Sequence, residues 1–173
     1  MTRARLVAGA SVVVILAAVG LAFYLYQDRR ASQGMEKKAQ IEGDVITVFV
    51  PREGGKLQRK LVEVHRQPSD AARAGVLFRE LKEARCIPDR LKMYDMALGS
   101  DGVLYLNVSE EFIGLSSPER EISMTYGIVD SFIESFHNVK KVQILVEGQP
   151  VYTGSGVLYL FSPLEFNREL VED

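Results

Sequence analysis

Apolar residues follow three rhythms along this chain, and each predicts a different element. The first is continuous. Leu6 to Tyr26, "LVAGASVVVILAAVGLAFYLY", carries no charge and is bracketed by Arg3 and Arg5 before it and Arg29 and Arg30 after it. As a helix its 21 residues would span ~31 Å, the hydrocarbon thickness of a bilayer. Tyr24 and Tyr26 sit near one end, where amphipathic rings favour the membrane interface. A cleaved signal peptide has an apolar region of only ~7–15 residues and a small-x-small cleavage site. This run is longer and ends in "FYLYQDRR", and the only cysteine, Cys86, lies far downstream of any lipid-attachment position. The reading is an uncleaved single-pass anchor over residues 6–26, preceded by a short tail at 1–5. Residues 27–43, "QDRRASQGMEKKAQIEG", lack apolar periodicity and read as a juxtamembrane linker. If flexible, its ends would lie ~20–25 Å apart; "MEKKAQIE" could instead extend the helix.

The second rhythm is the alternation and β-branched enrichment of strands. "DVITVFVP", "LQRKLVEVHR", the pair around "LGSDGVLYLNV" and "KKVQILVEGQPVYT" all show it, with turns at "REGGK", Gly99–Gly102 and Gly148-Gln149. "GVLYLF" is a further candidate strand. The third rhythm is helical. Ala74, Leu77, Phe78 and Leu81 recur at i, i+3, i+4, i+7 behind an N-cap at Ser69 or Asp70, and "CIP" ends that helix. Ser117-Pro118-Glu119 opens a second helix with a capping hydroxyl, a proline at its first position and a carboxylate at its positive end. Ile122, Tyr126, Val129 and Ile133 form its predicted stripe, widened by Phe132 and Phe136, and Asn138 suits the turn that stops it. Hairpins interspersed with helices predict an α+β domain over residues 44–173, with two helices on one face of a mostly antiparallel sheet.

At 173 residues, 47% hydrophobic and 25% charged, the chain has room for one globular domain beside the anchor. Beyond residue 43 it carries 15 basic and 20 acidic side chains, a net of −5, which argues against a nucleic-acid binder. The charge is uneven: residues 59–92 are net +4 and residues 101–173 net −8, so copies meeting head to tail would be complementary. Basic residues flank the apolar run on both sides, and counting them favours a cytoplasmic domain only mildly.

Candidate chemistry is sparse. Glu110 and Glu111 end a strand as adjacent carboxylates; in extended chain they point to opposite faces, so they diverge instead of sharing a reaction centre. They read as the polar exit of the strand, with Ser109 turning the chain and Phe112 plugging the core. His65 lies in a strand, and His137 at a helix end complements the dipole. Cys86 has no partner cysteine and reads as a small buried residue. Asn107-Val108-Ser109 matches a glycosylation sequon inside a strand. Nucleophile elbows, phosphate loops, dinucleotide fingerprints and metal spacings of Cys or His are all missing from the sequence. No catalytic, cofactor-binding or metal-ligating residue is assigned.

"VLYLNVSEEF", then "SSPEREISMTYGIVDSFIESFHNVKKVQILVEGQPV", then "SPLEFNREL" resemble the GerMN domain, named for a sporulation and spore-germination protein. The matching positions are Ser109, Glu110, Glu111 and Phe112; Ile128 and Val129; and Val142, Ile144, Val146, Glu147, Gly148 and Val151, within a resemblance over about residues 44–170. The resemblance implies an extracytoplasmic, membrane-tethered domain with a fold similar to ring-building modules, and no catalytic residues to carry over. It differs from sporulation members in having one domain copy and an apolar anchor in place of a lipid. The expectation is therefore a non-enzymatic binding or assembly module on the outer face of the inner membrane. Its partners would be the membrane through residues 6–26 and an envelope protein or further copies of itself. The alternatives are a small-ligand sensor and an accessory domain of a cell-envelope enzyme.

Overall fold

The computed structural model describes residues 43–114 and 117–172. The predicted span 6–26 and most of the linker lie outside the described residues; among the described residues, no helix is long and apolar enough to cross a membrane.

Strand β1 (Gly43–Pro51) pairs antiparallel with β2 (Leu57–His65) through a tight turn in which Gly54 and Gly55 both adopt positive φ. Helix α1 (Asp70–Glu83) follows, with the Ser69 hydroxyl accepting the Ala72 amide at 3.2 Å as the cap. Its buried residues are the four that the periodicity predicts, Ala74, Leu77, Phe78 and Leu81. Arg85 in the left-handed region (φ 56°) and the Cys86 N–H to Leu81 carbonyl bond, 2.9 Å, stop it. Strands β3 (Met93–Leu98) and β4 (Val103–Val108) form the predicted hairpin, and Leu104, Leu106 and Val108 turn inward. Helix α2 (Pro118–Ser135), capped by the Ser117 hydroxyl on the Arg120 amide at 3.2 Å, leads to β5 (Lys141–Val146) and a short β6 (Gln149–Pro150). A final β7 (Val171–Glu172) lies parallel to the start of β2.

The architecture is α+β, but the single mostly antiparallel sheet is not what forms. Among the described residues there are two sheets, β1-β2-β7 and β3-β4-β5-β6, and each contains a parallel pair. Parallel strands need a long crossover, and the connection through α2 supplies it between β4 and β5. "GVLYLF" forms no strand; its neighbour Leu164 makes a lone bridge to Val142. The last hairpin turns at Glu147-Gly148, both at positive φ, one residue earlier than predicted.

The stripe on α2 also needs correction. Ile122, Tyr126 and Ile133 are only half buried, whereas the rest of the helix is enclosed nearly all round. Two surfaces enclose it. Met124, Ile128, Val129 and Phe132 join Leu104, Leu106, Val142 and Ile144 in the main core with Ile46, Val48 and α1. On another side the open edge of β1 comes against the helix backbone. Gly127 leaves the space: a Cβ there would stand 2.2 Å from Cys86 Sγ and 3.2 Å from the Phe49 carbonyl. Ser131 and Ser135, one and two turns on, accept the Phe49 and Thr47 amides at 2.8 and 3.0 Å. Small residues at i, i+4, i+8 thus let a helix complete the unpaired edge of a strand.

Candidate binding surface

Glu110 and Glu111 lie in one 3-10 turn (Glu110–Phe112) whose third residue, Phe112, is wholly buried. Glu110 is exposed and Glu111 half buried. The hydrogen bond from the Ser109 side chain, above all, lowers the pKa of Glu111, which is the wrong direction for a general acid at neutral pH. The Ser109 hydroxyl also accepts the Lys92 amide at 2.9 Å, so the turn is sewn to the chain before β3.

The other sequence candidates stand apart. His65 and His137 are exposed at the ends of β2 and α2. Cys86 is fully buried, burial raises its thiol to about 12, and its Sγ fills the notch over Gly127. The half-buried Asn107 amide is engaged by neighbouring strands, donating to Asp95 Oδ2 at 3.0 Å and accepting the Gly148 amide at 2.8 Å. Among the described residues, no group of three His, Cys, Asp or Glu side chains is placed to hold a metal.

What the fold assembles instead is a rigid aromatic platform. Residues 148–164 are a run of uncharged side chains between Glu147 and Glu165. The loop leaves β6 at Pro150 and returns to the sheet only at Leu164. Tyr152, Tyr159 and Phe161 stand out of it, 68%, 60% and 42% exposed. Tyr152 and Phe161 are stacked with centroids 4.7 Å apart and planes 13° from parallel; Tyr159 lies 6.5 and 6.4 Å from them. Three apolar rings left in water are unfavourable unless something covers them.

The loop beneath them does not yield. Glu121, in the first turns of α2, is buried completely. Its carboxylate takes the Thr153 and Ser155 hydroxyls at 2.9 and 2.6 Å and the Gly154, Val157 and Leu158 amides at 2.8, 3.1 and 3.4 Å. Burial acts to raise its pKa, but the donors from Ser155, Gly154 and Thr153 together outweigh it and hold it down at about 2. Gln143 Nε2 donates to the Leu160 carbonyl at 2.8 Å, and the Leu160 amide closes on the Tyr152 carbonyl at 2.8 Å. The rings are therefore presented on a backbone fixed from three sides, at the α2 N-terminal end. Strand β1 begins near the other end of the helix, where Arg73 ties Asp44 and the Ser135 carbonyl together.

Neither feature follows from the sequence reading. Glu121 is legible in principle, since it lies on one helical face with Met124, Thr125, Ile128 and Phe132, all buried. The platform reads as a strand because aromatic and β-branched residues favour strands and exposed binding loops alike.

The chain matches the model of the Germane family, described as sporulation and spore germination, over residues 47–152. No curated protein matches. Among solved structures, the first GerMN domain of the sporulation protein GerM from Bacillus subtilis aligns at 13% identity and a TM-score of 0.57, covering 73% of this chain and 98% of that one. The tandem GerMN domains of the same protein align at 16% identity and 0.53, covering 72% of this chain and 45% of theirs.

Proposed function

Because the chain belongs to the Germane family of GerMN-type sporulation and spore-germination domains, we propose that it is a non-enzymatic binding or assembly module of the cell envelope. In this reading residues 6–26 anchor it in the cytoplasmic membrane, the domain faces the extracytoplasmic side, and the Tyr152–Tyr159–Phe161 platform docks a protein partner. The observation that carries the reading is the platform itself. Tyrosine-rich apolar clusters on a pre-ordered backbone are what protein interfaces use as anchors, because little entropy remains to be lost on binding. The partner face it fits is apolar with hydroxyl or amide groups able to meet the two tyrosine O–H groups.

A photo-crosslinking side chain at position 159 of the full-length protein in native membranes tests this. A discrete protein adduct is expected from position 159 and none from Leu61, an equally exposed apolar site on β2. Tyr152→Ser with Phe161→Ser should abolish the adduct while leaving the domain folded. Equal adducts from both positions, or none from position 159, would reject the platform as a docking site.

A further inference from the structure

Asp130 lies on α2 one turn before Glu134 and is wholly excluded from solvent. Its Oδ1 accepts the Asn167 amide at 3.1 Å, while Oδ2 is buried with no hydrogen-bond partner. Asn167 belongs to a C-terminal strap, Leu164 to Glu172, that closes over the helix. The strap is fastened at both ends. Leu164 exchanges two backbone bonds with Val142, 2.9 and 2.8 Å, and Val171-Glu172 pairs with Leu57-Gln58. Between them, Phe166 sets its ring edge against Phe49 at 5.5 Å and Lys56 Nζ reaches the Glu169 carbonyl at 2.7 Å. Strap, sheet and α2 border an open surface groove of about 650 Å³ lined by Phe49, Arg59, Glu134, Phe166 and Arg168 among others.

A buried carboxyl with one empty oxygen is tolerable as the acid and costly as the anion. We propose that the buried Asp130 carboxyl, with its unpartnered Oδ2, is a proton-operated latch for this strap. With the carboxyl protonated the strap lies shut; ionisation frees the segment around Phe166–Leu170 and widens the groove. Among the described residues the charged groups on the neighbouring elements offer no ready counter-ion. On α2, Glu134 repels an anion and is itself paired with Arg59 of β2. Lys141 of β5 is paired with Glu165 at 2.7 Å, and Lys56 is held by the strap backbone. The strap contributes Arg168 with Glu169 and Glu172, and among the described residues none of them bonds to Asp130.

Burial raises the Asp130 pKa from 3.8 to about 7; the Asn167 amide opposes the rise and Glu134 adds to it. An open strap would return the group to its ordinary value. The closed form therefore binds more protons, so opening becomes easier as pH rises from about 4 to about 7 and levels off above that.

Hydrogen exchange on the full-length chain in detergent micelles, at pH 5 and pH 7.5 and scaled for intrinsic rates, tests the latch directly. A peptide covering residues 164–172 should lose protection on the order of tenfold or more at the higher pH, while β4 and β5 stay unchanged. Asp130→Asn keeps an acceptor for the Asn167 amide and cannot ionise, so it should show equal protection at both values. Wild-type protection that does not change with pH overturns the latch, as does an unchanged drop in Asp130→Asn. Should that variant not fold, carbon NMR titration of the wild-type Asp130 carboxyl replaces it: an apparent pKa near 7 supports the latch, and one near 4 refutes it.

Discussion

Two side chains of one turn, Phe112 and Glu110, show how differently residues of one motif can be used. Phe112 fills the core, and Phe112→Ala should cost about 3–5 kcal/mol in denaturant melts. Exposed Glu110 should tolerate Gln within about 1 kcal/mol. Equal losses for Phe112→Ala and Glu110→Gln would contradict the assignment of core plug and polar exit. The carboxylate that matters is Glu121. Glu121→Gln puts an amide N–H₂ among five donors aimed at a carboxylate, and should cost about 2–3 kcal/mol with loss of order in residues 153–158. Its pKa is depressed in the fold, so the stability it brings is present above about pH 4.5 and lost as pH falls through about 2.

At the scale of the element, α2 acts as a substitute strand for the edge of β1. Gly127→Ala drives a Cβ into Cys86 Sγ and the Phe49 carbonyl, and should destabilise by about 1–3 kcal/mol. Cys86→Ala removes the nearer obstacle and should recover part of that loss, a coupling readable in a double-mutant cycle of melts. Strict additivity of the two substitutions would show that the helix and the Cys86 turn do not meet as described. Ser131→Ala and Ser135→Ala should each leave a buried strand amide without its acceptor, costing about 1–3 kcal/mol.

For the whole molecule, the two buried carboxylates impose opposite pH dependences. Glu121 adds stability as pH climbs from 2 to 4.5; Asp130, raised in the fold, removes it between about 4 and 7. Urea midpoints should therefore peak near pH 4–5 instead of neutrality, and Asp130→Asn should flatten the alkaline side of the curve. A wild-type maximum at pH 7 or above would contradict this assignment. The proposed topology has its own check. A reporter fused after Asp173 should be active if it requires the extracytoplasmic side and silent if it requires the cytoplasm; the reverse result would put the domain inside. If the uneven charge of the two halves brings copies together, crosslinked ladders in membranes should fade with salt, because exposed pairs are screened.

The local elements were legible because they obey local rules. The α1 face from Ala74 to Leu81, the cap at Ser117, the Gly99–Gly102 hairpin and the burial of Phe112 and Cys86 each follow from periodicity or turn chemistry within a few residues. So did the family, carried by short runs such as "NVSEEF" and "VQILVEG". Tertiary structure alone decided the division into two sheets, the serine edge on α2, the carboxylate under the aromatic loop and the strap over Asp130. The last three each join residues more than thirty positions apart. A side chain's spacing tells which way it points from its own element; whether it meets a strand edge, a loop of donors or water depends on what the rest of the chain brings to it.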